Sequence, residues 1–206
     1  MSAPALALPH GAPFTVDDLF GLPDDGNRYE VLGGSLVVSP APTPKHQLVA
    51  DRLCRVLLRL LPDQGEVVTA SAIRMRNGDG PVPDVSVTTA SPLDHPNGLP
   101  SATVHTVVEV VSPSNALNDR AYKKEIYAEE GIPCYWRVEI EPWRGHRGPL
   151  PLIVVRLLLG DGWQEIEAAA GEVAELPFAV GRRADGSAEV VPVKLDPAVL
   201  VGRERL

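Results

Sequence analysis

The segment Thr106-Val107-Val108-Glu109-Val110-Val111 places one carboxylate at the centre of an otherwise apolar strand, and this limits the folds open to the chain. Side chains alternate along a strand, so Val107, Glu109 and Val111 face one side while Val108 and Val110 face the other. An acid in such surroundings is costly to bury as a bare charge. It must be paired, protonated or bound to a cation. Glu109 is therefore the most informative residue in the sequence.

Two flanking segments bear on it. In Pro83-Asp84-Val85-Ser86-Val87 the same alternation sets Asp84, Ser86 and Thr88 on one face and Val85 and Val87 on the other. Downstream, Asp119, Lys123 and Tyr127 recur at helical spacing and share a face, whereas Lys124 points about a quarter-turn away. Two carboxylates on neighbouring strands, facing the same side, make an oxygen-rich cradle for a hard divalent cation such as Mg²⁺. Such an ion polarises a phosphodiester and acidifies water, and a nearby lysine offsets the developing negative charge.

The pattern along the chain alternates helical and strand-like stretches. Residues 1–13, rich in Ala and Pro, read as a flexible leader, and 14–206 as a single domain. Thr15 caps a short helix, and Gly33-Gly34 joins two strands, Tyr29 to Leu32 and Leu36 to Ser39. Thr43 caps a helix from about Pro44 to Leu61 with an apolar stripe of Leu48, Leu53, Val56, Leu57, Leu60 and Leu61, stopped by Pro62-Asp63-Gln64-Gly65. Short strands follow at Glu66 to Ala70 and Ala72 to Met75. The Asp84 and Glu109 strands, a helix from about Asp119 to Glu130 and a strand from Cys134 to Ile140 come next. A hairpin from Leu152 to Ala168 turns around Gly160-Asp161-Gly162, and residues 170–206 read as short strands and irregular tail. This order predicts a mixed α+β fold, a central mixed sheet flanked by helices.

Charge narrows the function. The 206 residues carry a net charge of -8, the wrong sign for a general nucleic-acid coat but compatible with an enzyme holding an acidic metal site. Cys54 and Cys134 have no metal-ligand spacing and read as reduced, small hydrophobes of a cytoplasmic protein. No basic segment precedes a long apolar one, and Leu150 to Leu159 is too short to span a bilayer. No phosphate-binding loop, nucleophile elbow, paired-histidine zinc motif or Cys-x-x-Cys occurs. His95, His105 and His146 receive no role, and Trp136, Trp143 and Trp163 read as core or loop anchors.

Taken in order, Arg28-Tyr29-Glu30, Ser39-Pro40-Ala41-Pro42 with His46-Gln47, Pro83-Asp84-Val85-Ser86, Glu109-Val110-Val111-Ser112-Pro113-Ser114, Asp119 with Lys123 and Tyr127, and Gly131-Ile132-Pro133 before Tyr135-Trp136 resemble the Uma2 family. That family lies in the restriction-endonuclease-like PD-(D/E)XK superfamily, and the resemblance runs from about residue 14 to 168. It implies a restriction-endonuclease-like sheet with Asp84 and Glu109 as ligands of Mg²⁺ or Mn²⁺. In the superfamily the catalytic lysine stands two residues after the second acid, where this chain has Val111, so the resemblance makes Lys123 the migrated lysine. Glu30 and His46 match positions near the site, as accessory groups whose roles stay open.

The expected activity is metal-dependent hydrolysis of DNA, and a homodimer would suit cutting both strands of a duplex. Blander readings stand beside it. Glu109 could pair with an arginine for structure, and Lys123 could be a solvated helix lysine beside Asp119. The whole chain could be a non-catalytic binding or regulatory module that keeps the nuclease-like fold, which the acidic net charge favours.

Overall fold

The computed structural model describes residues 12–61, 65–112, 116, 118–159 and 162–202. The expected helix stop at Pro62-Asp63-Gln64, the Pro113-Ser114 pair, the Gly160-Asp161 turn and all but the last two residues of the expected leader lie outside them.

In chain order the elements are α1 (Val16–Leu19), β1 (Arg28–Leu32), β2 (Ser35–Ser39), α2 (Pro44–Leu60), β3 (Glu66–Thr69), β4 (Ile73–Arg74), β5 (Val85–Thr88), β6 (Leu99–Pro100), β7 (Val104–Val111), a π-helical turn (Asn118–Tyr122), α3 (Lys123–Glu130), β8 (Cys134–Glu139), β9 (Leu152–Leu159), β10 (Gly162–Ala169), β11 (Ala174–Arg182) and β12 (Ala188–Leu195). Six strands form the central sheet in the order β10-β9-β8-β7-β5-β3. Among the described strands of this sheet only β7 and β8 pair in parallel, joined through α3, so the sheet is mixed as the sequence predicts.

Both faces of the sheet are covered. On one, α2 and the β11/β12 ribbon bury Val85, Val87, Val108, Val110, Trp136 and Val138. On the other, α3 packs Ile126 and Tyr127 against Val107 and Tyr135, joined by Leu32, Ile73 and Leu99. Alternation in β7 thus sends its valines to two separate cores.

The N-cap of α2 is Thr43, whose side chain accepts the His46 backbone N–H. Its buried stripe is His46, Val49, Ala50, Leu53 and Leu57. Leu48 and Leu60, expected to face inward, are 43% and 41% exposed. The helical phase favours Val49 and Ala50, and leucine identity alone misdirects the reading. The hairpin β1/β2 turns at Gly33 and Gly34, with φ of 59° and 69°, the left-handed pair that a type I′ turn requires. Both of their N–H groups donate to the buried Asp79 carboxylate, at 2.8 and 2.9 Å.

The C-terminal segment is the main departure from expectation. Instead of short strands and irregular tail, β11 and β12 are nine and eight residues long and pair along their length. Leu176 and Phe178 are fully buried. Ala179 and Thr106 exchange two 2.8 Å hydrogen bonds, and Trp136 Nε1–H donates to the Pro177 carbonyl. Pro177 faces Pro192, and a bulge falls between Ala179 and Gly181; these breaks in the period-two pattern hide the ribbon in the sequence.

Candidate active site

Antiparallel pairing of β5 with β7 sets Val85 opposite Val108, so the next position along, Asp84, comes opposite Glu109. Facing positions of an antiparallel pair share a face. The two acids of the sequence reading therefore meet at the same end of the sheet. They line one cavity of about 330 Å³ together with Arg28, Glu30, His46, Asp119 and Lys123.

Glu109 is 2% exposed. Its Oε1 accepts from Lys123 Nζ at 2.9 Å and from the Tyr127 hydroxyl at 2.7 Å. Lys123 is the first residue of α3, set inward by the π-helical turn before it, a wide turn of the kind found at functional sites. Far from being a solvated helix lysine, it is 2% exposed and also touches Glu30 Oε1 at 2.9 Å and Asp119 Oδ1 at 3.4 Å. The last contact is an ion pair rather than a formed hydrogen bond. It leaves Asp119 Oδ1 buried with no hydrogen-bond partner among the described residues.

Asp84 is held by different groups. Arg28 Nη1 donates to Oδ1 at 2.7 Å, while the Val110 N–H donates to Oδ2 at 2.8 Å. His46 Nε2 lies 3.2 Å from Oδ2 and 2.7 Å from the Val110 carbonyl. Both neighbours are acceptors, so Nε2 carries the ring proton, and Nδ1 is buried without a partner among the described residues. Glu30, the fourth acid, takes the Val82 N–H at 2.7 Å.

Four carboxyl groups, Glu30, Asp84, Glu109 and Asp119, thus face two permanent cations, Arg28 and Lys123, a formal surplus of two negative charges that burial opposes. Burial drives the Glu109 carboxyl well above the usual glutamate range; Lys123 opposes this, and Asp119, Glu30 and Asp84 add to it. Asp119 is pushed up to about 6, first by burial and then by Glu30 and Asp84, against the pull of Lys123. Burial also acts to raise Asp84, but the His46 hydrogen bond and the Arg28 charge outweigh it and hold the carboxyl low. For Lys123 burial works to strip the proton, yet Glu109, Glu30 and Asp119 together keep it firmly charged.

Among the described residues no three His, Cys, Asp or Glu side chains converge on one ion position. A hard cation needs only one or two carboxylates, since water and phosphate oxygens complete its shell. The donor set suits that sparser arrangement. Asp84 and Glu109 face each other, Asp119 Oδ1 has no hydrogen-bond partner among the described residues, and two carboxyl groups stand in excess of the permanent cations, the formal charge of one divalent ion.

The structure brings Asp84, Glu109, Lys123, Glu30 and His46 together, while His95, His105 and His146 do not line this cavity. Sequence reasoning missed Arg28 and Asp119 as members. Arg28 stands two residues before Glu30 on β1, so strand alternation puts both on one face. Asp119 already shared the helical face of Lys123. It also missed Glu139, 1% exposed, which accepts both Arg120 Nε and Nη2 at 2.8 Å beside the cavity.

Known proteins agree with this architecture. The profile of the Uma2 family, described as "Putative restriction endonuclease", matches residues 16–185. A crystal structure described as "a putative nuclease belonging to DUF820 from Anabaena variabilis ATCC 29413" superposes with a TM-score of 0.65 at 16% sequence identity, covering 92% of this chain and 98% of that one. A search of curated proteins gave no match.

Proposed function

Because the chain belongs to the Uma2 family, we propose that it is a divalent-metal-dependent endonuclease that hydrolyses DNA phosphodiester bonds. The observation that carries this reading is four carboxyl groups facing only two permanent cations around a solvent-reachable cavity. Asp84 and Glu109 would hold Mg²⁺ or Mn²⁺, with Asp119 and Glu30 at its edge. When bound, the ion would supply Lewis-acid charge to the phosphate and acidify water.

The chain's own groups prepare that chemistry. Arg28, His46 and the Val110 N–H fix the plane of Asp84, and Lys123 and Tyr127 fix Glu109 through one oxygen. Preset carboxylates need no reorganisation when charge develops. Lys123 keeps a permanent positive charge on the cavity wall, where negative charge builds on the attacked phosphate. Arg28, half-buried on the same wall, adds a second.

The test is cleavage of supercoiled and linear DNA by purified protein with Mg²⁺ or Mn²⁺, stopped by chelator. Asp84→Asn and Glu109→Gln should each lower the rate by more than about 100-fold, beyond the cost of losing a mere supporting partner of a metal ligand, with circular dichroism unchanged. Equal cleavage by wild type and variants would trace the activity to a contaminant. A second reading, the non-catalytic module, is favoured by the net charge of -8 and the lack of a three-ligand cluster among the described residues. It predicts no metal uptake at millimolar concentration in a calorimeter.

A further inference from the structure

We propose that the loop from Pro142 to Gly148 grips the nucleic-acid backbone, with Arg144 and Arg147 contacting phosphates of the strand whose bond reaches the cavity; this rests on the nuclease reading above. A chain with a net charge of -8 repels nucleic acid as a whole, so binding requires a local basic element. This loop is one. Arg144 and Arg147 are both exposed, and no Asp or Glu occurs between residues 142 and 160.

Its position ties it to the cavity. The loop follows β8 directly, and Ile140 and Glu141 just before it line the cavity wall. At its root Glu141 pairs with Lys45 at 2.9 Å, and Glu139 is held by Arg120 at 2.8 Å. The π-helical turn supplies Asp119 to the cavity and, one residue on, Arg120 to the loop.

The loop is also braced by its own contacts. The His146 N–H closes a turn on the Trp143 carbonyl at 3.1 Å, with Gly145 at φ 99° in the third position, where a side chain would be strained. Arg144 therefore stands at the tip. The His146 ring stacks on Trp143 at 4.2 Å and 10°, and Arg120 lies 4.6 Å over the same indole while held by Glu139. With its ring engaged by these two groups, Trp143 braces the loop instead of offering a surface for a base. Recognition is then by phosphate, independent of sequence, and a preformed loop loses little entropy on binding.

The experiment is fluorescence anisotropy of labelled duplex and single-stranded oligonucleotides with the full chain in EDTA, over a series of salt concentrations. Each phosphate contact contributes about 0.9 to the slope of log K against log salt for duplex and about 0.7 for single strands. An R144Q/R147Q variant should flatten that slope by about 1.8 on duplex and about 1.4 on single strands. An R55Q/R183Q variant, which removes the same charge from exposed positions elsewhere, should leave it unchanged. Equal slopes in the loop variant and wild type, equal flattening in both variants, or no binding by wild type would each overturn the proposal. Flattening confined to the loop variant, without metal-dependent cleavage by wild type, would leave the loop assignment standing and remove the nuclease reading. Cleavage with an unaltered slope would do the reverse.

Discussion

Lys123 shows how strongly single residues are coupled in this molecule. It is almost wholly enclosed, yet three carboxylates within 2.9 to 3.4 Å hold its proton. Removing one partner from a buried ion cluster costs about 3–5 kcal/mol, since charges are left uncompensated. Lys123→Met should therefore lower unfolding free energy in urea by that amount at neutral pH; a loss under about 1 kcal/mol would mean that the ammonium is dispensable. His105 is the opposite case. Burial, with Arg182 adding, holds its imidazole down to about 4 from 6.5. The unfolded chain takes up that proton first as pH falls, so the stability due to neutral His105 is complete above 6.5 and lost on the way down to 4. His105→Gln should remove up to about 3 kcal/mol of the acid-induced destabilisation in that window, at 1.36 kcal/mol per unit. An unchanged pH profile would contradict it. Both residues were visible in the sequence, but only Lys123 had a readable partner, through helical spacing to Asp119. Arg28 and Asp84 are separated by 56 positions, and no local period records a pairing of that kind.

At the scale of elements, legibility follows the regularity of each pattern. The valine run of β7, the cap of α2 and the glycine turn of β1/β2 each state their structure locally, and the α3 phase brings Lys123 to Glu109. The β11/β12 ribbon does not, because facing prolines and a bulge interrupt its alternation, and its hold on the sheet comes from residues 73 positions away. Burial nevertheless makes it part of the core. Phe178→Ala should cost about 3–5 kcal/mol of stability, the usual range for emptying an aromatic site. Leu93→Ala, at a residue 92% exposed, should stay within about 0.5 kcal/mol. Similar, small effects at both positions in chemical denaturation would mean that the ribbon is only loosely attached.

For the molecule as a whole, the fold gathers acids from the β1/β2 hairpin, the residue before β5, β7 and the turn before α3 around one cavity, where four carboxyl groups face two permanent cations. No helix among the described residues is long and apolar enough to cross a membrane. The strand alternation that fixed Asp84 and Glu109 on one face carries most of the site's outline. What the sequence could not state was the balance of charge, a sum over groups that only the tertiary fold collects. That balance is best tested by diffraction from crystals soaked in Mn²⁺, with data collected at the manganese edge. One anomalous peak is expected in the cavity, about 2.1 Å from a carboxylate oxygen of each of Asp84 and Glu109, and it should be lost in Glu109→Gln. A cavity without a peak at millimolar Mn²⁺, or a peak bound only elsewhere on the surface, would contradict it.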